Sequence, residues 1–130
     1  MNIVTFKGYK VSELSFVNKH ENGAKLQFGN NISYNVRYAN GKNIRFGELA
    51  ANAYDKENPD KFAVKIVLNG MFEYDASKKK EDIHVATFKE LYPLCKSIVL
   101  SVSVNAGVPP IYLPPFDIES QSIYKFEKNV

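Results

Sequence analysis

The chain has 130 residues, of which 45% are hydrophobic and 24% charged, and its formal net charge is +3. That length predicts one domain, spanning residues 1–130, with a core that needs neither metal nor disulfide to hold it. The single cysteine, Cys95, excludes an internal disulfide and fits a reducing compartment, and the mild excess of cations does not by itself call for nucleic acid.

Residues 1–8 read as a flexible end. The stretch GYKVSELSFVNK, residues 8–19, predicts a first strand of irregular pattern. Residues 24–39, AKLQFGNNISYNVRYA, alternate cleanly. Leu26, Phe28, Ile32, Tyr34, Val36 and Tyr38 share one parity, and Lys25, Gln27, Ser33, Asn35 and Arg37 the other. Period two means a strand with one buried face. Asn40-Gly41 tolerates positive φ at both central turn positions and predicts a tight hairpin. The return strand runs over about residues 43–55, and its apolar parity changes near Gly47. Ile44 and Phe46 precede the change; Leu49, Ala51 and Ala53 follow it. A one-residue bulge at Gly47 would put both groups on one face. After the turn KENPDK, Phe62, Val64, Ile66, Leu68, Phe72 and Tyr74 all fall on even positions. Gly70 is the one even gap, which marks a bulge or a place where something packs close. These pieces sum to a four-stranded antiparallel sheet, read as a meander, with one apolar face.

Residues 82–106 supply its cover. Phe88, Leu91, Tyr92, Cys95, Ile98, Val99 and Val102 follow helical spacing. Proline is favoured in a first turn, so Pro93 predicts a short turn or helix and then a main helix from about Tyr92 to Ala106. Gly107 stands where a C-terminal cap belongs. SIVLSVSV also alternates and is rich in β-branched residues, so on pattern alone a strand stays open there. NAGVPPIYLPPFDI, residues 105–118, holds four of the six prolines. FDIESQSIYKF then reads as a short final helix or a loose tail, with residues 126–130 a flexible end.

Little in the chain asks for catalysis. His20 and His84 have no metal-ligand spacing, DKENPD lacks the glycine and closing glutamate of a calcium loop, and no phosphate loop or nucleophile elbow appears. Cys95 with His84 is the one imaginable catalytic pair, but Cys95 lies on the apolar stripe, where a buried inert thiol is expected. The run SKKKED reads as a solvated turn, with a phosphate-binding patch as its alternative. No enzyme activity, cofactor or metal is expected. The N-terminus has no apolar signal-peptide core, and no run approaches the ~18 apolar residues of a membrane span. A cytoplasmic protein is the expectation.

The order of features in the second half resembles SecB, the bacterial protein-export chaperone family. The matching elements are Gly70-Met71-Phe72 on a strand, Leu91-Tyr92-Pro93 opening a helix, Gly107 ending it, and Leu113-Pro114-Pro115-Phe116-Asp117 in a proline loop. SELSF, residues 12–16, is similar to the family's opening strand, and the resemblance runs in order over residues 10–125. It implies an α+β fold: a four-stranded antiparallel sheet covered by a long helix and a short C-terminal helix, with 92–106 helical. It implies a homo-oligomer, dimer or tetramer, and a groove that holds unfolded preproteins without ATP.

SecB proteins are acidic and dock on the SecA motor, whereas this chain is basic. Glu13, Glu48, Glu73 and Asp75 are the candidates for a small docking patch. A toxin–antitoxin pair is the other partner the resemblance suggests. Proline pre-orders the chain before a client arrives, so less entropy is lost on binding. The expected client-binding residues are Phe72, Tyr74, Leu91, Tyr92, Ile111, Tyr112, Leu113 and Phe116. For residues 111–116 the competing reading is that they seal the core edge. Two other function classes remain: a small-molecule or lipid carrier with an apolar pocket, and an RNA-binding sheet. The RNA reading is disfavoured because Tyr34 and Tyr38 share the apolar parity.

Overall fold

The computed structural model describes residues 3–21, 23–39, 42–116 and 118. Four strands, β1 (Val4–Asn18), β2 (Phe28–Tyr38), β3 (Ile44–Asp55) and β4 (Phe62–Tyr74), form one antiparallel sheet in the order β1-β4-β3-β2. Only β2, β3 and β4 follow one another as the expected meander. β1 lies on the far side of β4, with Val4 opposite Tyr74 and Asn18 opposite Phe62, which is a Greek-key order. β4 explains the departure. Its core-facing row of Phe62, Val64, Ile66, Leu68 and Phe72 is 0% exposed throughout. A partner on each side moves that row from a sheet edge to the interior, where burial is most favourable. Residues 4–8, expected to be loose, are part of this pairing. The Asn40-Gly41 turn lies outside the described residues, but β2 and β3 pair in register up to it, Tyr38 opposite Arg45.

No bulge occurs at Gly47. β3 pairs continuously, with Val36 and Gly70 opposite Gly47 on its two sides. The odd positions of β3 face the core throughout, so Ile44 and Phe46 lie on the other face and Arg45 takes the inward place. Gly47 is needed for a different reason. The Tyr34 ring lies across it, and a Cβ there would sit 2.8 Å from Tyr34 Cε1 and 2.9 Å from Cζ. Gly70 likewise marks close packing rather than a bulge: a Cβ would stand 2.7 Å from Leu91 Cδ2. The irregularities of the β1–β4 pairing fall between Phe6 and Gly8 and between Val11 and Glu13, both on β1.

One long helix, α1 (Lys80–Asn105), covers the core face. The break expected before Pro93 is absent, and the strand alternative for 97–104 falls with it. Pro93 lies on the solvent side, as do Lys89 and Glu90 one turn earlier. Water therefore reaches the backbone where the ring interrupts the hydrogen-bond ladder. Gly107 ends the helix as expected, at φ +79°. Gly107 N–H donates to Val104 C=O and Val108 N–H to Ser103 C=O, which is a Schellman closure. α1 runs back along the sheet from Arg45, which meets His84, to Asn18, Phe28 and Phe62, which line a cleft with Gly107, Val108 and Pro109.

The proline segment then doubles back beside α1. Ile111 N–H donates to Ser103 Oγ at 3.0 Å, Tyr92 donates its hydroxyl to Pro114 C=O, and the Phe116 ring lies 5.5 Å from Phe88. Asp117 and residues 119–130 lie outside the described residues, and with them most of the expected final helix or tail and the end at 126–130.

Candidate client-binding surface

The eight residues expected to touch a client divide sharply by depth. Phe72, Leu91, Tyr92, Ile111 and Leu113 are buried in the core, Tyr74 and Phe116 are half-buried, and Tyr112 is 74% exposed. The cause lies in the direction of the proline segment. It is extended, so alternate side chains point opposite ways. Ile111 and Leu113 turn under α1 and seal the core edge, while Tyr112 points out between them. Phe72 and Leu91 are covered because α1 sits directly over Gly70.

An uncovered apolar row lies elsewhere, on β1. Pairing places Phe6, Tyr9, Val11, Leu14 and Phe16 opposite Phe72, Gly70, Leu68, Ile66 and Val64, all on the core face. The two ends of this row are tied down: Phe6 stacks on Phe72 at 5.1 Å and Phe16 meets Phe62 edge-on at 5.7 Å. Between them Tyr9 is 48%, Val11 41% and Leu14 48% exposed. The helix covers the core-facing row of β4 and leaves the middle of β1 open. β1 is also an edge strand. An apolar row beside a free backbone edge is what an extended peptide or a second copy can use. The sequence pattern hid this row. Lys7 and Ser12 are extra residues at the two irregularities, so the inward positions step by two and three in turn and match neither strand nor helix periodicity.

A buried polar cluster fixes the start of α1 on the sheet. Arg45 is 0% exposed. Its Nη2 donates to His84 Nδ1 at 2.7 Å and its Nη1 to Tyr38 Oη at 3.0 Å, and its guanidinium lies 5.2 Å from the Tyr38 ring. A guanidinium can only donate, so His84 Nδ1 is the acceptor. Burial lowers the Arg45 pKa from its usual value, against the pull of Tyr38, Tyr34 and Tyr74. Tyr34 donates to Thr87 Oγ1 at 2.6 Å, and burial pushes its phenol up to about 12. Burial likewise pushes the Cys95 thiol up to about 12, which removes it as a nucleophile near neutral pH. At the opposite end, His20 Nε2 meets Asp55 Oδ2 at 2.8 Å and ties the β1–β2 connection to the end of β3.

The acids considered for a docking patch are largely engaged. Glu13 pairs with Lys65 at 2.9 Å and Glu73 with Lys7 at 3.4 Å on the sheet face away from α1. Asp75 accepts from Ser77 N–H and Oγ in the turn before the helix. Among the described residues, no helix is long and apolar enough to cross a membrane.

Neither a protein-family model nor a curated protein matches the sequence. Solved structures do match in fold. The Mycobacterium tuberculosis SecB-like chaperone Rv1957, in complex with a ChAD peptide from the HigA1 antitoxin Rv1956, superposes with a TM-score of 0.67 at 11% identity. That match covers 87% of this chain and 90% of the other. A Streptococcus agalactiae protein of unknown function gives a TM-score of 0.52 at 13% identity, over 86% of this chain and 97% of that one. The long helix laid over a β1-β4-β3-β2 sheet is thus the fold of a SecB-like chaperone.

Proposed function

We propose that the chain is an ATP-independent holdase chaperone of the cytoplasm, which shields an unfolded or partly folded polypeptide from aggregation and assembles as a homo-oligomer. The observation that carries this reading is the uncovered row Tyr9, Val11 and Leu14 on the core face of an edge strand. A client segment laid there gains apolar contacts from the row and main-chain hydrogen bonds from the edge, with no nucleotide needed. Tyr112, Phe116 and Tyr74 keep exposed surface and extend the client contact. The five buried members of the expected set support the surface from beneath. A segment of an antitoxin-type partner is the first client class, because a protein of this fold has been solved with such a peptide. Export through a SecA-type motor ranks behind it, since Glu13 and Glu73 already hold lysines.

The test is the paired change Val11→Ser with Leu14→Ser, assayed for suppression of aggregation of an unfolded test protein and, on the same preparation, by sedimentation. Loss of suppression with assembly intact is the expected result. Full suppression by the variant, or no suppression by the unaltered protein, would overturn the reading. Loss of assembly would reassign the row to contact between copies of the chain.

A further inference from the structure

We propose that the sheet face opposite α1 carries a second docking cleft, built to take an acidic peptide segment around a large apolar side chain. One row crosses all four strands on this face: Gly8, Met71, Phe46 and Arg37 are successive cross-strand partners. Gly8 contributes no side chain, and a Cβ placed there would meet only open space. A cleft of about 400 Å³ results, floored by Met71 and Phe46, with Lys10 at the β1 end and Arg37 at the β2 end. Met71 is exposed, and the Arg37 guanidinium lies 4.8 Å from the Phe46 ring centre.

The charges around the cleft choose its occupant. Lys7 and Lys65 on the same face are committed to Glu73 and Glu13. Lys10 and Arg37 have no carboxylate partner among the described residues. Glu48, on the neighbouring row opposite Asn69, is the remaining acid of this face. Lys10 and Arg37 stand on β1 and β2, three strand spacings apart, or roughly 14 Å. An extended chain covers that span in about four residues. The matching ligand therefore carries two carboxylates about four residues apart, with an apolar side chain between them over Phe46 and Met71. A nucleic-acid strand fits less well, because it needs a run of cations, and of the four named on this face two are paired with acids. The proposal does not rest on the holdase reading, which concerns the opposite face of the sheet.

The experiment is fluorescence anisotropy with a labelled seven-residue peptide in which two glutamates, four positions apart, flank a central phenylalanine. Binding should weaken as salt is raised, and should fall at least tenfold in Lys10→Glu with Arg37→Glu. It should also be lost when the peptide's glutamates are replaced by lysines. Lys10→Gln with Arg37→Gln gives a milder variant of the same test, and thermal melting checks that both remain folded. Aggregation suppression should be unchanged in these variants, which separates failure of this proposal from failure of the holdase reading. Absence of peptide binding, or binding indifferent to both charge changes, would overturn the proposal. So would tighter binding of a single-stranded oligonucleotide that the same variants abolish.

Discussion

Gly47→Ala is the smallest change with a large expected effect. The new Cβ would overlap the Tyr34 hydroxyl and stand 2.8 and 2.9 Å from two ring carbons. Tyr34 has little freedom to move away. It is 2% exposed, bonded to Thr87 at 2.6 Å, and packed 5.5 Å from Phe88 and 5.0 Å from His84. Overpacking costs about 1–3 kcal/mol. Displacing the ring also weakens a buried hydrogen bond worth about 0.5–1.5 kcal/mol. Against this, replacing glycine in a strand returns about 0.5–1 kcal/mol of backbone entropy. The balance is a loss of about 2 kcal/mol, or roughly 8 °C in melting temperature for a chain of this size. Melting at fixed protein concentration measures it, since the proposed assembly would make the midpoint concentration-dependent. Tyr34→Phe supplies the internal control. It removes the overlapping oxygen, so in the Gly47→Ala background it should cost less than it does alone. An unchanged melting temperature, or strict additivity of the two changes, would refute the account of why β3 has a glycine there.

Gly70→Val should also lower the melting temperature, by an overpacking cost of about 1–3 kcal/mol, because its Cβ would meet Leu91 and Phe72. An unchanged midpoint would show that α1 can lift off β4 without cost. Tyr112→Ser and Leu113→Ser should separate binding from folding. The first leaves melting intact, while the second loses about 2–5 kcal/mol as a buried large-to-small change; equal melting of the two variants would contradict the depth assigned to them. For Asp55, burial favours the neutral form, but hydrogen bonds from Glu57 N–H, His20 and Gln27 N–H prevail and hold its pKa below the usual value. A depressed folded-state pKa stabilises above the unfolded value of about 3.9 and is lost as pH falls through the folded one. The melting difference between wild type and Asp55→Asn should therefore shrink below about pH 4, and a difference that holds or grows there would count against the pairing. Sedimentation at micromolar concentration should give a dimer or tetramer; a stable monomer would weigh against a SecB-like assembly.

The parts of the fold that a one-dimensional pattern can encode were legible. β2 and β4 alternate with strict parity, and Gly107 sits one step past the helix C-cap, Ala106. The errors have a common physical source in partners that are distant along the chain. The bulge expected at Gly47 places Ile44 and Phe46 inward with Leu49, Ala51 and Ala53, which turns the intervening Arg45 away from the core. Its acceptors, His84 and Tyr38, come from another element and another strand. Taken alone, the odd parity of Leu49, Ala51 and Ala53 pointed to the inward arginine. Pro93 predicts a helix start because proline is favoured there, yet its solvent-side position lets the helix run through it. The exposed row of the candidate site was invisible for a third reason: Lys7 and Ser12 break the period, and only pairing with β4 reveals which residues share a face.

The position of β1 beside β4 also sets an order of events during synthesis. β1 is the first strand to emerge and its partner the last, so at about 5–20 residues per second it waits several seconds for a sheet to join. During that time Phe6, Tyr9, Val11, Leu14 and Phe16 have no native neighbours, and their contacts, far apart along the chain, are the slowest kind to form. β2, β3 and β4 can meanwhile close through neighbouring hairpins. The N-terminal strand is thus added to a largely finished three-stranded sheet, as a separate segment of chain would be. The geometry by which this molecule completes itself is the one by which it would receive another.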